Sequence, residues 1–166
     1  MSVLYVVLAL VAIQRIAELA YAERNTRALL ARGASEYAPW QHPFFVALHA
    51  AWLLALLAFV PAHQPPHWAL IAVFFVLQGL RVWVLATLGP AWTTRIISLP
   101  GAPLVRSGPY RWIRHPNYTI VAAEIAVLPL AFGAVAIATV FTVLNAALLV
   151  LRIRAEEEAL ASRYSR

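Results

Sequence analysis

The sequence predicts an all-α integral membrane protein with five transmembrane helices, the last two forming a short helical hairpin, and a shaped polar segment on the cytoplasmic side. Three observations carry this. Of 166 residues, 63% are apolar and 12% charged, and the mean hydropathy is +0.75. Too few polar side chains exist to coat a water-soluble globule, which also excludes a disordered chain and a coiled coil. The apolar residues gather into runs long enough to cross a bilayer, and the charges gather between and after those runs.

The first pass is expected over residues 2–21, interrupted only by Arg15 and Glu18. No basic residue precedes it and its charges lie in its second half, which sets it apart from a secretory signal. Residues 44–60 form a second pass without a charge, and residues 68–88 a third that carries only Arg81. The final apolar region, 119–151, would be about 50 Å long as one helix, well beyond a bilayer. Pro129 and Gly133 near its midpoint divide it into passes over 119–132 and 134–151. At this length each needs a thinned bilayer or a partner helix.

All thirteen basic residues are Arg and all seven acids are Glu, giving a net charge of +6 and a pI near 10.5. In a membrane protein this excess is an orientation signal, and no nucleic acid partner is expected. Arg24, Arg27 and Arg32 follow the first pass, and Arg95, Arg106, Arg111 and Arg114 follow the third. Arg152, Arg154, Arg163 and Arg166 follow the fifth. Five passes put all eleven on one side, so the C-terminus is expected in the cytoplasm and the N-terminus outside. Cysteine is absent, which excludes disulfides, thiolate metal ligands and a Cys nucleophile. His42, His49, His63 and His67 are scattered, and no metal site is expected.

Arg15, Arg81, Glu124 and Asn145 fall at one depth, roughly 10 Å inside the cytoplasmic boundary at 1.5 Å per residue. Arg15 and Glu18 also share a helix face. Charges there are costly, so they read either as structural ion pairs or as a polar cavity open to the cytosol.

Residues 89–118 are too long for a simple connection. Pro and Gly shape the stretch from Ile96 to Tyr110, and Arg111-Trp112-Ile113-Arg114-His115-Pro116-Asn117-Tyr118 follows. Arg, His and Tyr supply donors and aromatic faces that suit a polar, ring-containing cofactor, or an interfacial aromatic belt. Beyond the fifth pass, Arg152 and Glu156 lie four apart on one helix face.

Leu104-Val105, Gly108-Pro109-Tyr110 and Arg114-His115-Pro116-Asn117-Tyr118, with Arg152-x-x-x-Glu156-Glu157-x-x-Leu160 at the right separation, resemble the isoprenylcysteine carboxyl methyltransferase family and its phospholipid methyltransferase relatives. The specific motifs cover about the last 80 residues. The resemblance implies a single domain, 1–166, that transfers a methyl group from S-adenosylmethionine to a lipophilic acceptor and releases S-adenosylhomocysteine. Its cofactor segment would be 89–118 plus 152–166. Carried over by position, the cofactor contacts are Pro103, Leu104, Val105, Tyr110, His115, Pro116, Asn117, Tyr118 and Glu156. Arg152 is then the catalytic residue facing the acceptor, with Arg81 and Glu124 as further acceptor-side residues.

Two departures stand out. Ile120 replaces a Gly that many members carry, and the tail ends at Arg166 with only Tyr164 left. The cofactor lid is therefore expected to be short, or completed by another subunit in a homo-oligomer. In the first half, Gln14-Arg15-Ile16-Ala17-Glu18-Leu19 and Gly33-Ala34-Ser35-Glu36 resemble a bacterial branch of the family. That branch implies the bacterial plasma membrane and O-methylation of alkylated phenols or pyrones, ahead of an isoprenylcysteine-like carboxylate. A phenol, with a pKa near 10, benefits from a base or a cation, for which Arg152, Arg81 and Glu124 are the candidates. The competing readings are a phospholipid N-methyltransferase, a small membrane transporter and an accessory membrane subunit.

Overall fold

The computed structural model describes residues 2–164, with side chains to residue 161. The expected tail residues Arg163, Tyr164 and Arg166 thus fall outside the described side chains. Five α-helices form the body: α1 (Val3–Ala31), α2 (Gln41–Phe59), α3 (Trp68–Leu88), α4 (Pro116–Ala131) and α5 (Val135–Tyr164). Four of them, all except α4, are long and apolar enough to cross a membrane, and α4 is a shorter apolar helix.

Each helix buries one stripe. On α1 the buried positions Leu4, Val7, Leu8 and Val11, then Glu18, Ala22, Asn25 and Leu29, recur at spacings of three and four or their sums. Trp52 and Leu56 of α2 and Phe74 of α3 meet them, with Ile125 and Leu128 of α4, in one core. The opposite faces present Ile13, Leu54, Phe59, Phe75, Val76, Val82 and Val143 outward. An outward apolar surface of this extent suits hydrocarbon and not water.

The short helix α4 solves its length problem by packing. Ile120, Val121, Glu124, Ile125, Leu128 and Ala131 are all buried. Partner helices cover it, so a thinned bilayer is unnecessary. The hairpin after it closes as expected: Gly133 takes φ +71°, its N–H donates to the Leu130 carbonyl, and the Ala134 N–H donates to that of Pro129. This is a Schellman cap, and only glycine enters it without strain. The same cap ends α1, with Gly33 at φ +87° and bonds to the Leu30 and Leu29 carbonyls.

Two features go beyond the expected passes. The helix of the first pass continues ten residues past Tyr21, because hydropathy marks where a membrane would end while the first helix breaker is Gly33. The extension anchors the segment after α3, since Asn25 Nδ2 donates to the Trp92 carbonyl at 2.8 Å and Tyr21 stacks on Trp92 at 6.0 Å. As the spacing of Arg152 and Glu156 implied, α5, which begins at Val135, runs on beyond residue 151 without a break. The fold is also not purely helical. Strands β1 (Ser35–Tyr37) and β2 (Ile96–Ser98) form an antiparallel ribbon, pairing Ser35 with Ser98 and Tyr37 with Ile96. Arg95 braces it through Glu36 at 3.3 Å and Glu23 at 3.4 Å. The ribbon ties the loop after α1 to the segment after α3.

Candidate active site

A cavity of about 1490 Å³ opens where the tail of α5 meets the segment after α3, and reaches between α1 and α2. Its two ends differ. One end is walled by Pro103, Leu104, Val105, Tyr110, Asn117 and Glu156, and the other by Ala12, Ile16, Leu19, Val46, Ala50 and Leu53.

The polar end is held by short turns. A 3-10 turn over Gly108–Arg111 packs on α3, where Trp112 meets Trp83 at 5.9 Å. Gly108 sits at φ +55°, and a Cβ there would lie 2.5 Å from Thr87 Oγ1. Glycine thus allows the close approach that brings Tyr110 to the cavity. Burial, and then the Glu156 carboxylate, push the Tyr110 phenol up to about 12. It therefore stays a donor at neutral pH.

Pro116 starts α4 at its first helical position, where its missing N–H costs nothing. It is buried and does not line the cavity. Its neighbours do: His115 and Tyr118 stack at 5.4 Å and 12°, one turn apart across the helix start. The Tyr118 hydroxyl donates to Glu156 Oε2 at 2.6 Å and accepts from Arg152 Nε at 2.9 Å. Arg152 Nη2 donates to the Thr94 carbonyl at 2.8 Å. Its guanidinium also lies over the Phe45 ring at 5.2 Å. Arg152, Tyr118 and Glu156 therefore form one chain of hydrogen bonds between the two ends of the cavity.

The mid-membrane charges are arranged otherwise. Arg81 grips Glu18 with two bonds of 2.6 Å, Nε to Oε1 and Nη2 to Oε2, and reaches Glu124 at 3.2 Å. Arg15 bonds Glu124 at 2.5 Å and Glu18 at 3.0 Å. Gln14 and Gln78 complete the two carboxylates at 2.9 and 2.8 Å. Arg81 touches the cavity wall, whereas Glu124 is fully buried and does not line it. Asn145 shares the depth but not the network: it is buried on α5, with neither side-chain polar atom bonded. Among the described residues Asn145 thus joins none of these bonds, so the depth read from the sequence overstated this layer.

Ten of the twelve residues singled out from the sequence line the cavity, all except Pro116 and Glu124. Ile120 is buried within the bundle. Sequence reasoning missed the α2 wall. His42, Phe45 and His49 line it at spacings of three and four residues, a helical stripe of aromatic rings at the start of an apolar run, and that spacing was the available signal. Gln41 Nε2 donates to the Leu151 carbonyl at 3.4 Å, and His42 Nε2 meets Thr94 Oγ1 at 3.0 Å.

S-adenosylmethionine presents an amino acid, a ribose and an adenine, so its site needs unpaired polar groups. His115 Nε2 and Asn117 Oδ1 are both without a hydrogen-bond partner among the described residues. With the half-open Glu156 carboxylate and the Tyr110 hydroxyl, this donor and acceptor set fits such a molecule.

The isoprenylcysteine carboxyl methyltransferase family matches residues 69–162. This span covers α3, α4, α5 and the whole polar end. A Bacillus subtilis (strain 168) protein described as uncharacterized protein YpbQ is 38% identical over 160 residues, covering 94% of this chain and 95% of its own. A Haemophilus influenzae protein, also described as uncharacterized, is 27% identical over 147 residues, 83% of each chain. No solved structure matches. The motifs seen in the sequence, their convergence on one cavity and the family match agree: the chain belongs to the isoprenylcysteine carboxyl methyltransferase family and is an integral membrane protein of the methyltransferase class.

Proposed function

We propose that the protein is an S-adenosylmethionine-dependent O-methyltransferase acting on a lipophilic small molecule. The acceptor oxygen belongs to an alkylated phenol or pyrone, or to an isoprenylcysteine-like carboxylate. The observation that carries this is the two-ended cavity, lined by Tyr110, Asn117 and Glu156 at the α5 tail and by Ile16, Leu19, Val46 and Leu53 beside Arg15, Glu18 and Arg81 between α1 and α2, with Arg152 also on its wall. A water-soluble donor suits the first end and an alkyl chain the second.

The whole chain acts as one domain. All five helices cross the membrane, with the Arg-rich ends, residues 89–118 and the α5 tail in the cytoplasm of a bacterium. When bound, S-adenosylmethionine supplies an electrophilic methyl group on a sulfonium. Tyr110, His115, Asn117 and Glu156 hold its polar parts, with Pro103, Leu104, Val105 and the Tyr118 ring as apolar walls. Pro116 acts through the helix start it fixes. Arg152, oriented by Tyr118 and Thr94, keeps Nη1 for the acceptor oxygen. Fixing that oxygen in line with the methyl group supplies several kcal/mol of the barrier. Arg81 borders the acceptor end, and Glu124 supports it from behind.

Detergent-solubilised protein mixed with methyl-labelled S-adenosylmethionine and a bacterial lipid extract tests the proposal. Label is expected in an O-methylated lipid identified by mass. Label in a phosphatidylethanolamine headgroup instead would mark an N-methyltransferase, and overturn the O-methyl assignment.

A further inference from the structure

His49 lines the cavity on α2, one turn beyond Phe45, and stands apart from the hydrogen-bonded chain of Arg152, Tyr118 and Glu156. Its Nδ1 lies 2.8 Å from the Phe45 carbonyl oxygen. A carbonyl only accepts, so Nδ1 carries the proton in the neutral ring and the lone pair is on Nε2. No group among the described residues bonds that nitrogen. Since Arg152 lies over the Phe45 ring, His49 is about 6 Å deeper than Arg152, one helical turn.

The carboxylates around the cavity and His42 already have partners, and His115 lies at the other end of it. Glu18 and Glu124 accept from two Arg and a Gln each, and Glu156 accepts from Tyr118. His42 Nε2 is on Thr94, and His115 Nδ1 faces Glu156 at 3.7 Å inside the polar end. The charged groups facing His49 are Arg15 and Glu18 on α1, Arg81 on α3 and, past Phe45, Arg152 on α5. Three of these four are cations, a setting that favours an anionic oxygen beside the ring.

We infer that His49 is the general base when the acceptor is a hydroxyl. This rests on the methyltransferase reading and adds to it. The acceptor's alkyl chain lies along Ile16, Leu19, Val46 and Leu53, and its ring comes between His49 and Arg152. The hydroxyl O–H bond breaks, with the proton passing to His49 Nε2. The oxygen lone pair forms the new C–O bond to the transferred methyl, whose bond to sulfur breaks with its electron pair left on sulfur. The imidazolium then gives its proton to water at the open end of the cavity.

Purified protein is assayed with S-adenosylmethionine and two acceptors of equal chain length, an alkylphenol and an alkanoic acid. Wild-type, His49→Ala and the near-isosteric His49→Gln are compared, with S-adenosylhomocysteine binding by calorimetry as the measure of a folded site. The expected loss with the phenol at pH 7 is about 10²- to 10⁴-fold in both variants, the usual contribution of a general base. The rate in the variants should then climb tenfold per pH unit towards the phenol's own pKa, a profile that a packing role would not produce. Binding of an alkylated nitrophenol without cofactor gives a second readout, as phenolate absorbance that wild-type promotes and both variants do not. Equal phenol rates in wild-type and His49→Gln, or a wild-type that methylates only the acid, would overturn the role of His49 alone. A wild-type that methylates neither acceptor would overturn the methyltransferase reading itself.

Discussion

Two polar clusters sit among the apolar helices, and they are built on opposite principles. Around Glu18 and Glu124 every carboxylate oxygen accepts a hydrogen bond, two Arg balance two Glu, and two Gln finish the set. Around Arg152, Tyr118 and Glu156 the bonds run in one chain and stop, with His115 Nε2 and Asn117 Oδ1 beside it unbonded. The first cluster satisfies every carboxylate oxygen from within the protein, although Arg15 Nε and Gln78 Oε1 stay unbonded among the described residues, and it ties α1, α3 and α4 together. The second has capacity left over, which is what a ligand site needs. Buried charge by itself therefore does not distinguish structure from chemistry; how fully each carboxylate is matched does.

Breaking the first cluster should have the largest effect on stability. Glu124→Ala leaves Arg15 and Arg81 facing apolar surroundings, and loss of one partner of a buried pair costs about 3–5 kcal/mol. The expected result is a much lower thermal midpoint in detergent and poor recovery, read by a thermal-shift assay. If Glu124→Ala were as stable as wild-type, the network would not be what bolts the three helices together. Glu156→Ala and His115→Ala should do the converse. Thermal stability should change little, while S-adenosylmethionine affinity in calorimetry falls about 10- to 100-fold, as expected for losing a hydrogen bond to a charged group.

A third comparison uses backbone alone. Gly108→Ala forces a Cβ against Thr87 at a positive φ, so the turn must shift and carry Tyr110 with it. Overpacking of this kind costs about 1–3 kcal/mol, and cofactor affinity should fall as well. Thr87→Ser in the same chain removes the methyl but keeps Oγ1, so it should not restore binding, whereas Thr87→Gly should restore part of it.

The smallest effect concerns pH. The Tyr110 phenol is raised in the folded protein from 10 to about 12, by burial and by Glu156. Its contribution to stability is thus fully present below pH 10 and is lost as pH rises from 10 to 12. Tyr110→Phe should flatten part of that alkaline fall in a denaturation series, and an unchanged fall would contradict the placement of Tyr110.

Much of this was legible in the sequence, for physical reasons that differ by region. Long apolar runs had to become helices in a bilayer, and Gly133 marked the turn between the last two, because glycine takes the positive φ of the cap without strain, while α4 runs through Pro129. The motif residues Tyr110, His115, Asn117, Tyr118, Arg152 and Glu156 do come together on one cavity. What stayed hidden depends on rotation and on distant pairing. Nothing in the local sequence announces that Ser35–Tyr37 pairs with Ile96–Ser98, nor that Asn145 stays outside the network of Glu18 and Glu124. The helix beyond Tyr21 was hidden because hydropathy reports the solvent and not the hydrogen bonds. His49 was passed over as one of several scattered histidines, although its spacing from His42 and Phe45 placed it on the same face.

Everything proposed for the reaction depends on the open cluster binding S-adenosylmethionine while the closed one does not. Calorimetry of the detergent-solubilised protein with S-adenosylhomocysteine, in wild-type and Glu156→Ala, decides this without knowledge of the acceptor. A saturable heat is expected in wild-type, weakened by about one to two orders of magnitude in the variant, with the thermal midpoint of the ligand-free protein unchanged. No heat in a well-folded wild-type, or equal heats in both proteins, would refute it.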